Sequence, residues 1–122
     1  MTTLRLVLLA IAAVTVVSGL VQALAPSFVL GLIGAEGSPG GNHSFGIVGM
    51  FMVLFGGLLW EGLSPRGPIP TALRWAGLQK LGAAGAVTLG VARDLFGPLA
   101  LGVAGFDLLS GVLIFVYLVR AR

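Results

Sequence analysis

The sequence contains no cysteine and only one histidine, His43. Without cysteine the chain has no disulfide, no thiolate metal site, no cysteine nucleophile and no CxxCH motif for haem attachment. A single histidine also excludes a bis-histidine haem within one chain. We therefore expect neither a metal site nor a bound cofactor.

Charged residues are the second scarce class: they make up 9% of the chain, whereas soluble domains carry about 25%. Hydrophobic residues make up 57%, and the mean hydropathy is +1.09. This number of charged residues is too small to cover the surface of a soluble globular protein. We therefore predict an integral membrane protein in contact with the lipid bilayer. The net charge of +3 comes mainly from arginines that flank the apolar runs, and it does not indicate nucleic-acid binding.

Four apolar runs approach or exceed the length of about 20 residues that a transmembrane helix needs. They cover residues 4–25, 44–63, 72–92 and 98–119. Segments rich in glycine, proline and charge separate the runs, as is typical of loops. The sequence therefore predicts an all-α polytopic membrane protein. Its single domain, residues 1–122, is expected to be an antiparallel bundle of four transmembrane helices.

The segment between the first two runs is the least membrane-like part of the chain. Residues 27–33 are apolar but too short to cross a bilayer, so we predict a short interfacial helix at the outer surface. A glycine-rich turn follows it. Asn42 or Ser44 is then expected to cap the second span, because such side chains accept hydrogen bonds from free helical N–H groups.

The first run has two features of a secretory signal peptide, the positive residue Arg5 and the small-x-small sequence at residues 23–25. Its apolar stretch is longer than the usual 7–15 residues of a signal peptide. Cleavage would also leave Pro26 at the new N-terminus. We expect the first span to be retained, with cleavage as the alternative.

The arginines are distributed unequally between the two sides of the predicted bundle. The side that holds both termini and the second loop carries Arg5, Arg66, Arg74, Arg120 and Arg122. The opposite side carries only Arg93. Because cytoplasmic loops are enriched in arginine and lysine, both termini are predicted to be cytoplasmic, in a plasma or inner membrane.

Two charged residues interrupt apolar runs, Lys80 in the third and Asp107 in the fourth. At about 1.5 Å per residue, Lys80 lies about 12 Å and Asp107 about 16 Å from the same membrane face. Each charge alone at a helix centre costs about 2.5–3.5 kcal/mol. We therefore predict an ion pair between them in the bundle interior. Its role is open between a structural lock and part of a ligand or proton pathway.

Four uncharged polar residues are further candidates for such a pathway: Thr15, Ser18, Gln22 and Thr88. The first three follow one face of the first run, and Thr88 shares the face of Lys80. The alternative is that they only form hydrogen bonds between helices, each worth about 0.6 kcal/mol. For the stripe on the first run we favour this structural alternative.

Glu61 and Arg74 flank the loop between the second and third runs. Both lie near span ends, at the level of Trp60 and Trp75, which are typical interfacial residues. We predict a structural ion pair that joins the two spans.

At the opposite face four residues are outer-mouth polar candidates: Asn42, His43, Arg93 and Asp94. The simpler interpretations are an interfacial histidine and a solvated turn. No metal site is expected from them.

Small residues recur at four-residue spacing on the third run, at Gly82, Ala86 and Gly90. Such ridges let membrane helices approach closely. This one lies off the face of Lys80. It is therefore a candidate surface for a membrane protein partner or for a second copy of the chain.

The sequence shows no nucleophile–base–acid set, no HExxH motif, no phosphate loop and no carboxylate cluster, so an enzyme is disfavoured. Three stretches resemble the DoxX-like and BphX-like group of small four-helix membrane proteins. These are NHSFGIVGMFMVLFGGLLWEGL, ALRWAGLQKLGAAGA and GFDLLSGVLIFVYL. The resemblance implies a membrane subunit beside redox and quinone-linked enzymes.

Two functions from different classes follow. We favour a non-enzymatic subunit or scaffold of a membrane complex that docks through small-residue ridges. The alternative is a small transporter or ligand-binding bundle with Lys80 and Asp107 in its interior.

Overall fold

The computed structural model describes residues 2–121, and this part of the chain is entirely helical. Its helices are α1 (Thr2–Leu24), α2 (Pro26–Leu32), α3 (Pro39–Gly62), α4 (Pro70–Ala92) and α5 (Ala100–Arg120). The four long helices overlap the four predicted spans. The short α2 is the predicted segment between the first two. Arg122, used above for orientation, lies outside the described residues.

Proline determines where several helices begin. Pro26 opens α2 directly after α1 because a residue before proline is disfavoured in the helical region, so Ala25 leaves it. Pro39 occupies the first turn of α3, and Ser38 caps that helix by accepting a hydrogen bond from Gly41 N at 3.0 Å. The helix thus begins five residues before the predicted span, and the predicted cap by Asn42 or Ser44 is wrong. Both residues lie inside α3.

The four long helices form an antiparallel arrangement of two close pairs. α1 packs along α3, and α4 packs along α5, whereas the contacts of α3 with α4 and of α1 with α5 are less extensive. α1 and α4 consequently lie at opposite corners of the bundle. α2 packs against α1 and α3 at the end away from the termini.

The apolar core occupies the half of the bundle that contains the chain termini. Its buried members are Leu8, Ala12, Leu59, Leu63, Leu73, Ala76, Ile114 and Tyr117. All four long helices contribute to it. Towards the other end the buried positions on α1, α3, α4 and α5 are mostly small, for example Gly19, Gly49, Ala84 and Ala104.

At the end away from the termini, two helix ends are joined by a backbone hydrogen bond. α4 ends with Asp94 in the left-handed region (φ 59°), and Leu95 N donates to Gly90 O at 2.9 Å. α2 ends in the same way at Gly34 (φ 70°). Gly97 N then donates to Ile33 O at 2.7 Å, which connects the two turns.

Three helices of the described chain, α1, α3 and α5, are long and apolar enough to cross a membrane. α4 has a similar length of 23 residues, but Arg74, Gln79 and Lys80 lower its hydropathy. Large apolar side chains remain exposed on the outer faces, for example Val17, Leu54 and Leu109. These helices are therefore suited to contact with lipid, and the chain associates with a membrane.

Candidate functional site

Lys80 lies in the middle of the bundle and joins three helices. Its Nζ donates to Asp107 Oδ1 of α5 at 3.3 Å, which is the ion pair expected from the sequence. It also donates to Thr15 Oγ1 of α1 at 2.6 Å. Since α1 and α4 occupy opposite corners, the lysine side chain spans the bundle diagonally and connects the two helix pairs.

The ammonium group of Lys80 is almost completely enclosed. Only 6% of its side chain is exposed, and the Phe106 ring centroid lies 5.0 Å from Nζ. This geometry provides a cation–π contact in addition to the two hydrogen bonds. An ammonium has three donors, so this environment leaves little of its charge uncompensated.

Asp107 is less enclosed than its partner, with 15% of its side chain exposed. Oδ1 accepts the hydrogen bond from Lys80. Within residues 2–121, Oδ2 accepts no hydrogen bond and is not a buried unpaired atom. One carboxylate oxygen is thus committed to the lysine, and the other is available to a further donor.

Small residues give the lysine its space. Ala76, Gly77 and Ala84 are buried on the same face of α4. Ala104, Ser110 and Gly111 are buried on the facing side of α5. Ser110 Oγ donates to Phe106 O at 2.7 Å, so its hydroxyl group has a hydrogen-bond partner within its own helix. Because these side chains are short, the two backbones approach closely and the longer Lys80 reaches past them to α1.

The remaining predicted pathway residues do not join this site. Ser18 and Thr88 are exposed, and Thr88 Oγ1 donates to Ala84 O of its own helix at 2.7 Å. Gln22 is buried, and its Nε2 donates to Phe45 O of α3 at 3.0 Å. The three residues of the α1 stripe therefore have three different roles. Thr15 binds the lysine, Gln22 forms a hydrogen bond to α3, and Ser18 faces outwards.

The predicted ion pair between Glu61 and Arg74 is absent, because both side chains are exposed and no salt bridge joins them. Gly62 at the end of α3 lies against α4, at Leu73 and Ala72. Glu61 comes one position before the contact residue Gly62, and Arg74 comes one position after the contact residue Leu73. They are consequently rotated by about 100° out of the helix interface.

The four outer-mouth candidates do not form a cluster with mutual hydrogen bonds or ion pairs in the described chain. His43, Arg93 and Asp94 are exposed, and Asp94 serves to end α4. Asn42 packs near Gly37, and its Oδ1 is buried without a hydrogen-bond partner. The simpler interpretations of the exposed residues, an interfacial histidine and a turn, agree with this placement.

The predicted ridge on α4 is only partly open. A methyl group added at Gly90 would lie 2.5 Å from the Phe96 ring, because the turn after α4 folds this ring back over the helix. Gly90 is therefore covered by the chain itself. Gly82 and Ala86 are exposed, and so is Gly85, which lies between them.

Two partners of Lys80 were not assigned from the sequence. Thr15 was placed in a stripe along α1, and only the diagonal geometry shows that it accepts from the lysine. Phe106 precedes Asp107 in the chain, but apolar residues fill most positions of α5, so nothing distinguished it. Among residues 2–121, no group of three or more histidine and carboxylate side chains is suited to a metal ion.

Comparison with protein-family models, with curated proteins and with solved structures gives no match.

Proposed function

We propose that this chain is a four-span membrane protein that serves as a non-enzymatic subunit or scaffold of a membrane complex. The proposal includes the relationship to the DoxX-like and BphX-like group that the sequence resembles. It also places the protein in a plasma or inner membrane with both termini cytoplasmic.

The structure supports α4 as the fourth span because its most costly side chain faces inwards. Lys80 is enclosed by Thr15, Asp107 and Phe106, so its charge does not face lipid. Arg74 lies one turn from the start of the helix, where a long side chain reaches the interface. The neighbouring helices thus reduce the free-energy cost of placing the charged side chains of α4 in a membrane.

The absence of cysteine makes this topology directly testable. Single cysteines at Glu36, Leu95 and Val119 would be labelled in intact cells with a membrane-impermeant maleimide. Four spans with cytoplasmic termini predict labelling at Glu36 and Leu95 and protection at Val119. If α4 does not cross, Leu95 is protected and Val119 is labelled, which contradicts the proposal.

One observation carries the subunit role: exposed glycines without contacts on α4 and α5. At Gly82, Gly85, Gly102 and Gly105 an added methyl group would meet no atom within 4 Å. Glycine in a helix costs about 1 kcal/mol relative to alanine. Elsewhere in this bundle glycine permits close helix contacts, as at Gly49. Open glycines on a lipid-facing surface therefore support docking of a further helix there.

Co-purification from native membranes tests this role. The unmodified chain is expected to retain a partner in mild detergent, and Gly85→Leu and Gly105→Leu are expected to release it. Gly57→Leu is the control, because Gly57 is also uncrowded but is only half-exposed and lies on α3, away from the proposed docking surface. A chain that retains no partner, or one whose association is unchanged by both α4 and α5 substitutions, contradicts the proposal.

The second candidate function is a small transporter or ligand-binding bundle, and the uncommitted Oδ2 of Asp107 favours it. This carboxylate retains an accepting oxygen beside a mostly buried ammonium. Proteoliposomes that contain a pH-sensitive dye would show whether the chain conducts protons. The candidate is supported if flux disappears in Asp107→Asn and in Lys80→Ala and stays absent in the double variant. It is rejected if these variants lose stability alone and no transport signal changes.

A further inference from the structure

A surface hollow of about 490 Å³ lies at the end of the bundle where α1 begins and α3 ends. Its lining includes Arg5, Trp60, Glu61, Leu63 and Ile69. Leucine, isoleucine and tryptophan make most of its wall apolar. One positive and one negative side chain are therefore present in a mainly apolar hollow.

Arg5 is held in place by the adjacent helix end. Its Nε donates to Leu63 O at 2.8 Å, and Leu63 is the residue that caps α3. This bond places the guanidinium at the negative end of the α3 dipole. Within the described chain its terminal nitrogens donate no hydrogen bond, so their fork remains open to an anion.

Glu61 lines the same hollow but forms no ion pair with Arg5. The two charges are thus separated within one site and are not neutralised by each other. A ligand that complements both carries an anion and a cation together. A purely anionic ligand would place its charge beside the Glu61 carboxylate, which is unfavourable.

The position of the hollow indicates what kind of ligand reaches it. Trp60 is 53% exposed beside it, and Trp75 is 56% exposed on α4. Exposed tryptophans and the nearby Arg66 are typical of the headgroup level of a bilayer. The apolar part of the hollow then faces the upper acyl chains.

We propose that this hollow binds a zwitterionic aminophospholipid, with its phosphate on the Arg5 guanidinium and its primary ammonium on the Glu61 carboxylate. Arginine binds phosphate oxygens in a bidentate manner. The ammonium contributes N–H donors that a choline headgroup lacks. The proposal depends on α1 and α3 lying in a membrane, but not on the subunit role.

Native mass spectrometry of the detergent-solubilised chain tests the site with phosphatidylethanolamine, phosphatidylcholine and phosphatidylglycerol of identical acyl chains. Because charged hydrogen bonds are at stake, we expect phosphatidylethanolamine to bind about tenfold more tightly than the other two. Glu61→Gln is expected to abolish this preference. Arg66→Gln is the control, because Arg66 is exposed in the loop that follows α3 and does not line the hollow.

The proposal is overturned if phosphatidylglycerol binds best to the unmodified chain or if Glu61→Gln retains the preference. An equal loss in Arg66→Gln also overturns it, since binding would then reflect the general charge of this end. Water-soluble glycerophosphoethanolamine is expected to bind much more weakly than the lipid. Equal binding would show that the apolar wall contributes nothing and that the ligand is not a lipid.

Discussion

The two helix pairs of the bundle both depend on glycine, but they use it differently. Between α1 and α3 the backbones themselves touch: a methyl group added at Gly49 would lie 2.6 Å from Ala23 N and 2.7 Å from Gly19 O. Between α4 and α5 the atoms nearest to glycine are side-chain atoms, and the closest backbone atom, Gly77 O, would lie 3.3 Å from a methyl group at Gly111. A methyl group at Gly111 would lie 2.6 Å from Leu81 Cδ2, and one at Gly77 would lie 2.7 Å from the Phe115 ring.

This difference has a mechanical consequence. A backbone contact yields only if a whole helix moves, whereas a leucine side chain can change its rotamer. The α1/α3 pair is therefore expected to be rigid, and the α4/α5 pair to tolerate change. Lys80 of α4 connects the two pairs because it binds Thr15 of α1, and within its own pair it binds Asp107 of α5.

The largest expected effect comes from removing the carboxylate that compensates Lys80, the residue that connects the pairs. Asp107→Ala leaves the ammonium of Lys80 buried without its carboxylate. Removing one partner of a buried pair lowers the free energy of unfolding by about 3–5 kcal/mol. Denaturation in bicelles, followed by circular dichroism, measures the change.

Asp94→Asn is the control for Asp107, because Asp94 is exposed and asparagine tolerates its positive φ. It is expected to change stability by less than about 0.5 kcal/mol. The double variant Lys80→Met/Asp107→Leu removes both charges and is expected to recover most of the loss. If the double variant loses as much stability as Asp107→Ala, the uncompensated charge of Lys80 is not the cause of the loss in the single variant.

The next effect tests the rigid pair. Gly49→Ala forces α1 and α3 apart, because backbone atoms of α1 surround the added methyl group. Overpacking of this kind costs about 1–3 kcal/mol. Gly57→Ala on the same helix is the matched control, since its methyl group would meet no atom within 4 Å. Equal stabilities of the two variants would contradict the backbone contact.

The smallest effect tests the adaptable pair. Gly111→Ala requires a shift of the Leu81 side chain, and we expect a loss of about 1 kcal/mol. Gly105→Ala is uncrowded and serves as the control on the same helix. If Gly111→Ala proves more costly than Gly49→Ala, the proposed difference between the pairs is wrong.

The helices and the central ion pair were predictable because each depends on local or near-local information. Apolar length gave the four long helices, and the similar depth of Lys80 and Asp107 on neighbouring helices predicted their contact. The Glu61–Arg74 pair failed under similar reasoning. Depth alone does not give rotation about the helix axis, and a shift of one residue turns a side chain by about 100°.

The start of α3 was misjudged for a different reason. Ser38 and Pro39 were available as a start signal, but the glycine-rich stretch around them indicated a loop. Arg93 and Asp94 were outer-mouth candidates with a turn as the simpler interpretation, and they end α4. In both places backbone hydrogen bonding determines the role of residues whose side chains suggested chemistry.

Composition and the length of the apolar runs by themselves determined that this chain associates with a membrane and is helical, because a continuous apolar run of about 20 residues satisfies its own backbone in lipid as a helix. Only the tertiary structure decided that α1 and α4 lie diagonally and that Lys80 crosses between them to Thr15. That choice depends on which glycines meet which neighbours, and a contact between distant helices is not encoded in the spacing of either one.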